Sequence, residues 1–513
     1  MNPKTQHGYL YFTAFVSGMV SLGVELSASR LLAPFFGESH PVWAAIISLI
    51  LLYLTVGYFI GGRWADRSPR PATLYQVVAW AALWVGLVPF IARPVLLLST
   101  RGIVGYAYDL TLLIGPFIAV LLLFAVPVTL LGCVSPFVIR LLLERVEDAG
   151  DVAGRAYAIS TAGSLLGTLL PVFLLIPTLG TRNTFVAFSL LLLAVALVGL
   201  LRVAPRRALL YLLMPLLVLL LAFFMRGQPI KPLPGAIYET ESAYNYIQVV
   251  ERDGWRELYL NEGQGVHSIY NPNAVRLWGT WDYFLIAPFF NPPPFTPDRV
   301  QGLAMIGLAG GTIPKRYTAF FGPIPIDGVE IDPEIVAVGR AYFDMNEPNL
   351  QVYVTDGRAF LDRSEHRYTV VAIDAYRLPY IPWHLTTVEF FQSVRAHLTD
   401  DGVVAINVGH TGDYRLVETM VATLLQVFPT VHVMDVPDSF NAIVVATVQP
   451  TTAENLRANR EFMGDPVLQS IADEAWGQIH PVEPGGLVLT DDRAPVEMLT
   501  HAVVLAYLTE SLR

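Results

Sequence analysis

Seven long apolar runs dominate the first part of the chain, near 8–29, 41–62, 74–98, 110–131, 156–179, 184–201 and 208–224. A helix that crosses the hydrocarbon of a bilayer needs about 20 mostly apolar residues. The pattern therefore predicts an α-helical transmembrane bundle over 1–227 with about seven spans, and a lipid bilayer as its surroundings. The stretch 135–143 adds a short amphipathic continuation. Ser160, Gly163, Ser164 and Gly167 recur at helical spacing, which lets helices approach closely. Glu25 lies inside the first run, where a carboxylate is costly, and is expected to face the bundle and pair with Arg30. The first run is too long for the apolar core of a cleavable signal and is followed by further runs.

After Arg226 the pattern changes. Pro229, Pro232 and Pro234 mark a linker. Two alternating stretches, 244–251 and 256–260, flank Asp253-Gly254 and predict a small β-hairpin subdomain within 235–298. From Val300 short apolar strands alternate with helical stretches. Strands are expected at 303–307, 326–329, 352–354, 370–373, 403–408, 431–436 and 442–447, with helices near 333–343, 387–397 and 414–428. This alternation predicts a parallel, doubly wound sheet, an α/β Rossmann-like domain of methyltransferase type over 299–513.

Charge sharpens the division. Of 513 residues only 15% are charged and 54% are hydrophobic, against about 25% charged in soluble domains. Residues 1–230 hold 15 of the 33 Lys+Arg and 8 of the 43 Asp+Glu, leaving 18 basic and 35 acidic residues for the remainder. An acidic water-facing half favours cationic ligands and argues against nucleic acid. The lone Cys133 excludes an intrachain disulfide and a cysteine-based zinc site, and no metal is expected. The basic loops 63–70, 140–155 and 202–207 fall on one side of the seven runs. The positive-inside rule makes that side cytoplasmic and would put the second half outside. Either one run is miscounted or re-entrant, or the second half is external; the expectation is a multi-pass cell-membrane protein with a cytoplasmic second half.

Candidate chemistry sits at strand ends. The first Rossmann strand runs into Gly307-Leu-Ala-Gly310-Gly311-Thr312, where glycines allow a sharp turn and close backbone approach to a ligand. Glu330 ends the next strand, at the distance from Gly311 expected of an acidic residue that binds ribose hydroxyls. Asp332 follows, and Pro333 can open a helix. The third strand ends in Thr355-Asp356-Gly357 and the fourth in Asp374. Ligands of open α/β sheets bind beyond the carboxyl ends of the strands. Asp356 could also cap the helix after it.

These segments resemble the spermidine synthase (aminopropyltransferase) family. The matching pieces are SAYNYIQVV at 242–250, IGLAGGT at 306–312, VEIDPEIV at 329–336 and TDGRAFL at 355–361, with the strand ending at Asp374. LTDDRAPVE at 489–497 resembles the terminal segment of the bacterial group in which such a domain is fused to a membrane domain. The loop GGRWADRSPR at 61–70 resembles a loop between the second and third helices of major-facilitator transporters. The resemblance implies decarboxylated S-adenosylmethionine as donor, a small cationic amine as acceptor and methylthioadenosine as product. It implies that Gln248, Gly307, Gly310 and Gly311 line the donor, that Glu330 and Asp332 serve the ribose side, Asp356 and Gly357 the adenine, and that Asp374 faces the transferring group. A second copy of the chain, as a homodimer, is a candidate partner.

The sequence departs from the family in two places. Where the family carries a second aspartate three residues after the fourth strand, this chain has Arg377, which cannot act as a base near neutral pH and repels an amine. In place of the family's Tyr-His-Glu run it has Trp281-Asp282-Tyr283. Asp374, Asp282 and Tyr283 are accordingly the catalytic candidates, with Glu262 and His267 behind them. Asp491 and Asp492 either close over the site or cap a helix. Two further readings compete with aminopropyl transfer: an S-adenosylmethionine-dependent methyltransferase acting on a membrane-delivered substrate, and a transporter or sensor whose adenosyl-binding domain does not turn over.

Overall fold

A computed structural model describes residues 3–37, 40–101, 108–226, 228, 230–261, 265–376, 380–500 and 502–503. The chain divides into two compact units. The first comprises 1–233 with 239–246 and 261–263; the second comprises 234–238, 247–260 and 264–513.

The first unit is helical: α1 (Pro3–Phe36), α2 (His40–Arg67), α3 (Pro71–Arg101), α4 (Tyr108–Gly132), α5 (Val134–Leu142), α6 (Ala149–Leu170), α7 (Ile176–Val203), α8 (Pro205–Tyr211) and α9 (Leu213–Phe224). Among the described residues six helices are long and apolar enough to cross a membrane. One of them, Val146–Val203, has 58 residues, roughly 87 Å at 1.5 Å per residue, far beyond one crossing. It is broken at Gly180, whose φ of 78° and ψ of 164° are not helical.

Close contacts show that the chain reverses there. A Cβ on Gly163 would meet the carbonyl of Phe15, and one on Gly167 the carbonyl of Met19, so α6 runs parallel to α1. Tyr9 Oη donates to the Val195 carbonyl while Gly23 abuts Phe188, so α7 runs antiparallel to α1. The six helices thus contain seven segments of alternating direction. The last returns along α3 and α7: Val218 packs at Gly86 beside Ser189, and Arg182 donates to the Met225 carbonyl. No run is re-entrant among the described residues, and the chain leaves the bundle at the end opposite the start of α1.

The three basic loops gather at the start of α1. His7 lies 3.7 Å from Glu144, Arg140 pairs with Asp66 at 3.1 Å, and Arg202 stacks over the ring of Tyr9. Glu25 finds no ion-pair partner among the described residues. Arg30 instead donates to the carbonyls of Ser242 and Tyr244, contrary to the expected Glu25–Arg30 pair. The small residues do what their spacing predicts: Gly163 and Gly167 sit in backbone contact with α1, and Ser164 Oγ donates to the Gly18 carbonyl.

The β-hairpin is the centre of a four-stranded sheet, β1 (Ala236–Glu241), β2 (Tyr246–Arg252), β3 (Trp255–Leu260) and β4 (Val266–Tyr270), in that order. Asp253 (φ 50°) and Gly254 (φ 79°) turn β2 into β3, the positive φ values a tight hairpin demands.

The main domain alternates α10 (Thr280–Ile286), β5 (Leu303–Ile306), α11 (Thr312–Phe321), β6 (Ile326–Glu330), α12 (Pro333–Tyr342), β7 (Leu350–Val354), α13 (Gly357–Leu361), β8 (Tyr368–Ile373), α14 (Val388–Ala396), β9 (Leu398–Gly409), α15 (Arg415–Leu424), β10 (Thr430–Asp435), β11 (Asn441–Thr447), α16 (Glu454–Asn459) and α17 (Pro466–Trp476). The sheet order is β10-β11-β9-β8-β5-β6-β7. The sequence pattern predicts an all-parallel sheet, whereas β11 pairs antiparallel with both β9 and β10. The connection from β10 to β11 spans only 436–440, too short for a crossover. Apolar residues bury both faces of the sheet, with Met305, Val370 and Val403 on one side and Ile306, Val371 and Val404 on the other. The pattern also misses α10, α11, α16 and α17.

Candidate adenosyl-ligand site

Four neighbouring parallel strands, β8-β5-β6-β7, end along one edge of the sheet. At roughly 4.8 Å per strand that edge is about 14 Å long, the scale of an extended nucleoside with a short substituent. Backbone bonds fix the order along it: Asp374 N donates to the Ile306 carbonyl, Gly307 N to Val329, and Thr355 N to Glu330. Asp374, the glycine turn, Glu330 and Asp356 therefore follow one another along that edge.

The glycine turn is tight. Gly307 (φ 88°), Ala309 (φ 48°) and Gly311 (φ 84°) all adopt positive φ. A Cβ on Gly307 would collide with the Asp374 carbonyl oxygen, so only glycine lets β5 and β8 close here. Ser268 of β4 receives the Gly310 amide at 2.8 Å, which ties the small sheet to the turn. Gln248 is buried on β2.

Glu330 is buried and accepts the amides of Ala309 at 2.9 Å and Asp332 at 3.2 Å. Burial pushes its carboxyl up to about 7, against the pull of those hydrogen bonds. Asp332 caps α12 through the Glu334 amide. Beside Glu330, Ile331 leaves 43% of its surface exposed, an apolar wall at the strand end, inside the VEIDPEIV segment but with no role assigned to it from the sequence. Burial likewise raises Asp374 to about 6, opposed by a 3.0 Å hydrogen bond from Asn407 Nδ2. The other amide atom, Asn407 Oδ1, is buried with no partner among the described residues, and Tyr376 Oη donates to the Asn407 carbonyl.

Asp356 does cap α13: Oδ1 accepts the amides of Arg358 and Ala359. Its other oxygen lies 2.7 Å from His384 Nε2. Burial would raise its carboxyl, but these hydrogen bonds outweigh burial and hold it below the usual carboxylate range. The sequence gives no sign of His384, which stands 28 residues away in a short 3-10 turn, Trp383–Leu385. Asp491 pairs with Arg358, next to the site, while Asp492 is exposed in the adjoining turn.

Asp282 and Tyr283 are engaged elsewhere. The buried Asp282 carboxylate contacts Arg316 at 3.2 Å and Arg276 at 3.7 Å and accepts the amides of Leu277 and Trp278. Tyr283 Oη donates to Glu474. Neither group retains an open position for a substrate amine. The Nε2 atom of His267 is buried with no partner among the described residues, and burial pushes the imidazole down to about 4. Glu262 and Arg377 lie outside the described residues. No cluster of three metal-ligating side chains occurs among the described residues.

Residues 320–457 match the model of the spermine/spermidine synthase domain. Residues 320–457 of this chain thus carry a spermine/spermidine synthase domain. A probable polyamine aminopropyl transferase from Bifidobacterium longum (strain NCC 2705) is 32% identical over 287 residues, covering 52% of this chain and 63% of that one. A polyamine aminopropyltransferase from Vibrio vulnificus (strain CMCP6) is 28% identical over 245 residues, covering 46% and 78%. This chain thus spans just under two thirds of the first relative's length. The crystal structure of a probable spermidine synthase from Corynebacterium glutamicum ATCC 13032 aligns at a TM-score of 0.39 and 18% identity, covering 50% of this chain and 98% of that one. Glu330, Asp356 and Asp374 all fall within the residues matched to the synthase domain.

Proposed function

We propose that the chain is a membrane-integrated aminopropyltransferase-like enzyme. Its donor is decarboxylated S-adenosylmethionine, its acceptor an amine, and its product methylthioadenosine. The observation that carries this reading is the succession of Asp374, glycine turn, Glu330 and Asp356 along one edge of the sheet. Glu330 accepts the ribose hydroxyls, Asp356 and Gly357 meet the adenine, and Ile331 covers its face. Gln248, Gly310 and Gly311 line the sulfonium side.

In the transfer the amine nitrogen attacks the carbon bonded to the sulfonium. The new C–N bond forms as the C–S bond breaks, and the electron pair stays on sulfur as a neutral thioether. The attacking amine must shed a proton. Asp374, with its carboxyl near 6, is ionised at neutral pH and takes that proton. The unpartnered Asn407 Oδ1 beside it accepts a second N–H of the amine. Asp282 and Tyr283 act in this reading as supports, through Arg316 and Glu474. The long apolar helices anchor the enzyme in a bilayer.

The test is to incubate the purified full chain with each donor form, with and without putrescine, and to assay methylthioadenosine and S-adenosylhomocysteine. Putrescine-dependent methylthioadenosine supports aminopropyl transfer. S-adenosylhomocysteine would establish methyl transfer in its place, and binding without product would establish a sensor.

A further inference from the structure

Asp491 is remote from Asp356 along the chain and sits in a segment with little regular structure, yet its carboxylate is fully used. Both oxygens receive Arg358 guanidinium N–H groups at 2.7 Å, a bidentate pair, and Oδ1 also accepts Thr387 Oγ1 at 2.7 Å. Arg358 follows directly on Asp356-Gly357. Thr387 lies just beyond His384, the residue on the other Asp356 oxygen. Arg358 also donates to the His384 carbonyl at 3.4 Å. Asp491 therefore holds both segments that flank the Asp356 carboxylate.

The segment carrying it is sewn down on either side. Leu489 is buried; its amide donates to Thr423 Oγ1 and its carbonyl accepts the Val388 amide. The Asp491 amide donates to Glu389, and Val496 is buried.

We propose that Asp491 is a positioning residue of the adenine subsite. It clamps Arg358 and Thr387 so that Asp356 and His384 present one fixed hydrogen-bonding edge to the nucleoside. This inference rests on the adenosyl reading given above. The Arg358–Asp491 side chains are 24% and 38% exposed, and pairs that open to solvent contribute little to global stability. A planar bidentate pair contributes orientation above all. Loss of the clamp should thus be felt in nucleoside binding before it is felt in folding.

The experiment is calorimetric titration of the full chain with methylthioadenosine and S-adenosylhomocysteine, alongside steady-state kinetics. Asp491→Asn should weaken nucleoside binding and raise the donor KM about tenfold, as expected when a binding group loses its support. The acceptor KM, kcat and melting temperature should stay near wild type. Thr387→Val, which removes a single hydrogen bond, should give a smaller loss of the same kind. The double variant Arg358→Asp with Asp491→Arg should recover part of the binding that each single change loses. Wild-type binding with an unaltered Asp491→Asn affinity would overturn the clamp while leaving the site intact. Equal losses in donor KM, acceptor KM and melting temperature would show a merely structural role. Absence of nucleoside binding by the wild type would overturn the site itself, and the clamp with it.

Discussion

Asp374 and Glu330 are both carboxyls whose affinity for protons is raised by burial, but they serve different ends. In the proposed transfer Asp374 must be ionised to take a proton, so kcat/KM should rise with pH through about 6 and level off above it. Asp374→Asn should lower turnover by about 10³-fold or more while leaving methylthioadenosine affinity within a few-fold; unchanged turnover would remove Asp374 from the chemistry. Glu330 binds its proton more tightly in the folded chain, near 7, than at its ordinary value of 4.5. The stability this contributes is complete below about pH 4.5 and is lost as pH rises through about 7, a swing of about 3 kcal/mol. Glu330→Gln should therefore flatten the fall in melting temperature between pH 5 and 8 and at the same time weaken nucleoside binding. A steeper fall in the variant would refute the assignment.

At the scale of elements, two close approaches decide the architecture. The turn after β5 works only because Gly307 has no side chain. Gly307→Ala drives a Cβ into the Asp374 carbonyl at a φ of 88°, and should destabilise the second unit by about 2–4 kcal/mol in denaturant titration. In the first unit α1 and α6 touch backbone to backbone at Gly163 and Gly167. Gly167→Leu should force them apart and lower the yield of detergent-stable protein, whereas the same change at Gly154, where a Cβ meets nothing within 4 Å, should be silent. Equal effects at both positions would mean that these helices do not pack as described.

For the whole molecule the reversal at Gly180 has a consequence for membrane topology. Seven alternating segments put the start of α1 and the linker after α9 on opposite faces of any bilayer the bundle crosses. Three loops with three arginines each lie at the α1 start, and the positive-inside rule predicts a cytoplasmic position for that face in a bilayer. The segment after Gln228 would then emerge on the other face, opposite to the side expected from donor supply. Sided reporters inserted at 146–148 and at 232–234 should give opposite signals, and matching signals would refute the seven-segment reading. An outward signal at 232–234 would mean that the adenosyl donor has to be delivered across the membrane.

Much of this was legible in the residues themselves. Apolar run length marks bilayer-spanning helices, and strand-end carboxylates at nucleotide-fold spacing mark a site, because both signals are local and periodic. Glycines 163 and 167, and the set Gly307, Glu330, Asp356 and Asp374, are of this kind. Other features depended on which residues meet across long separations. The partners of Asp356 and Arg358 stand 28 and 133 residues away, in segments without periodicity. Asp282, a bare carboxylate in the sequence, is spoken for by two arginines brought in by folding. Sequence alone determined where long apolar helices and a row of strand-end carboxylates would form. Only tertiary packing decided which carboxylates stay open to a ligand, because a charge's role depends on what folding places against it.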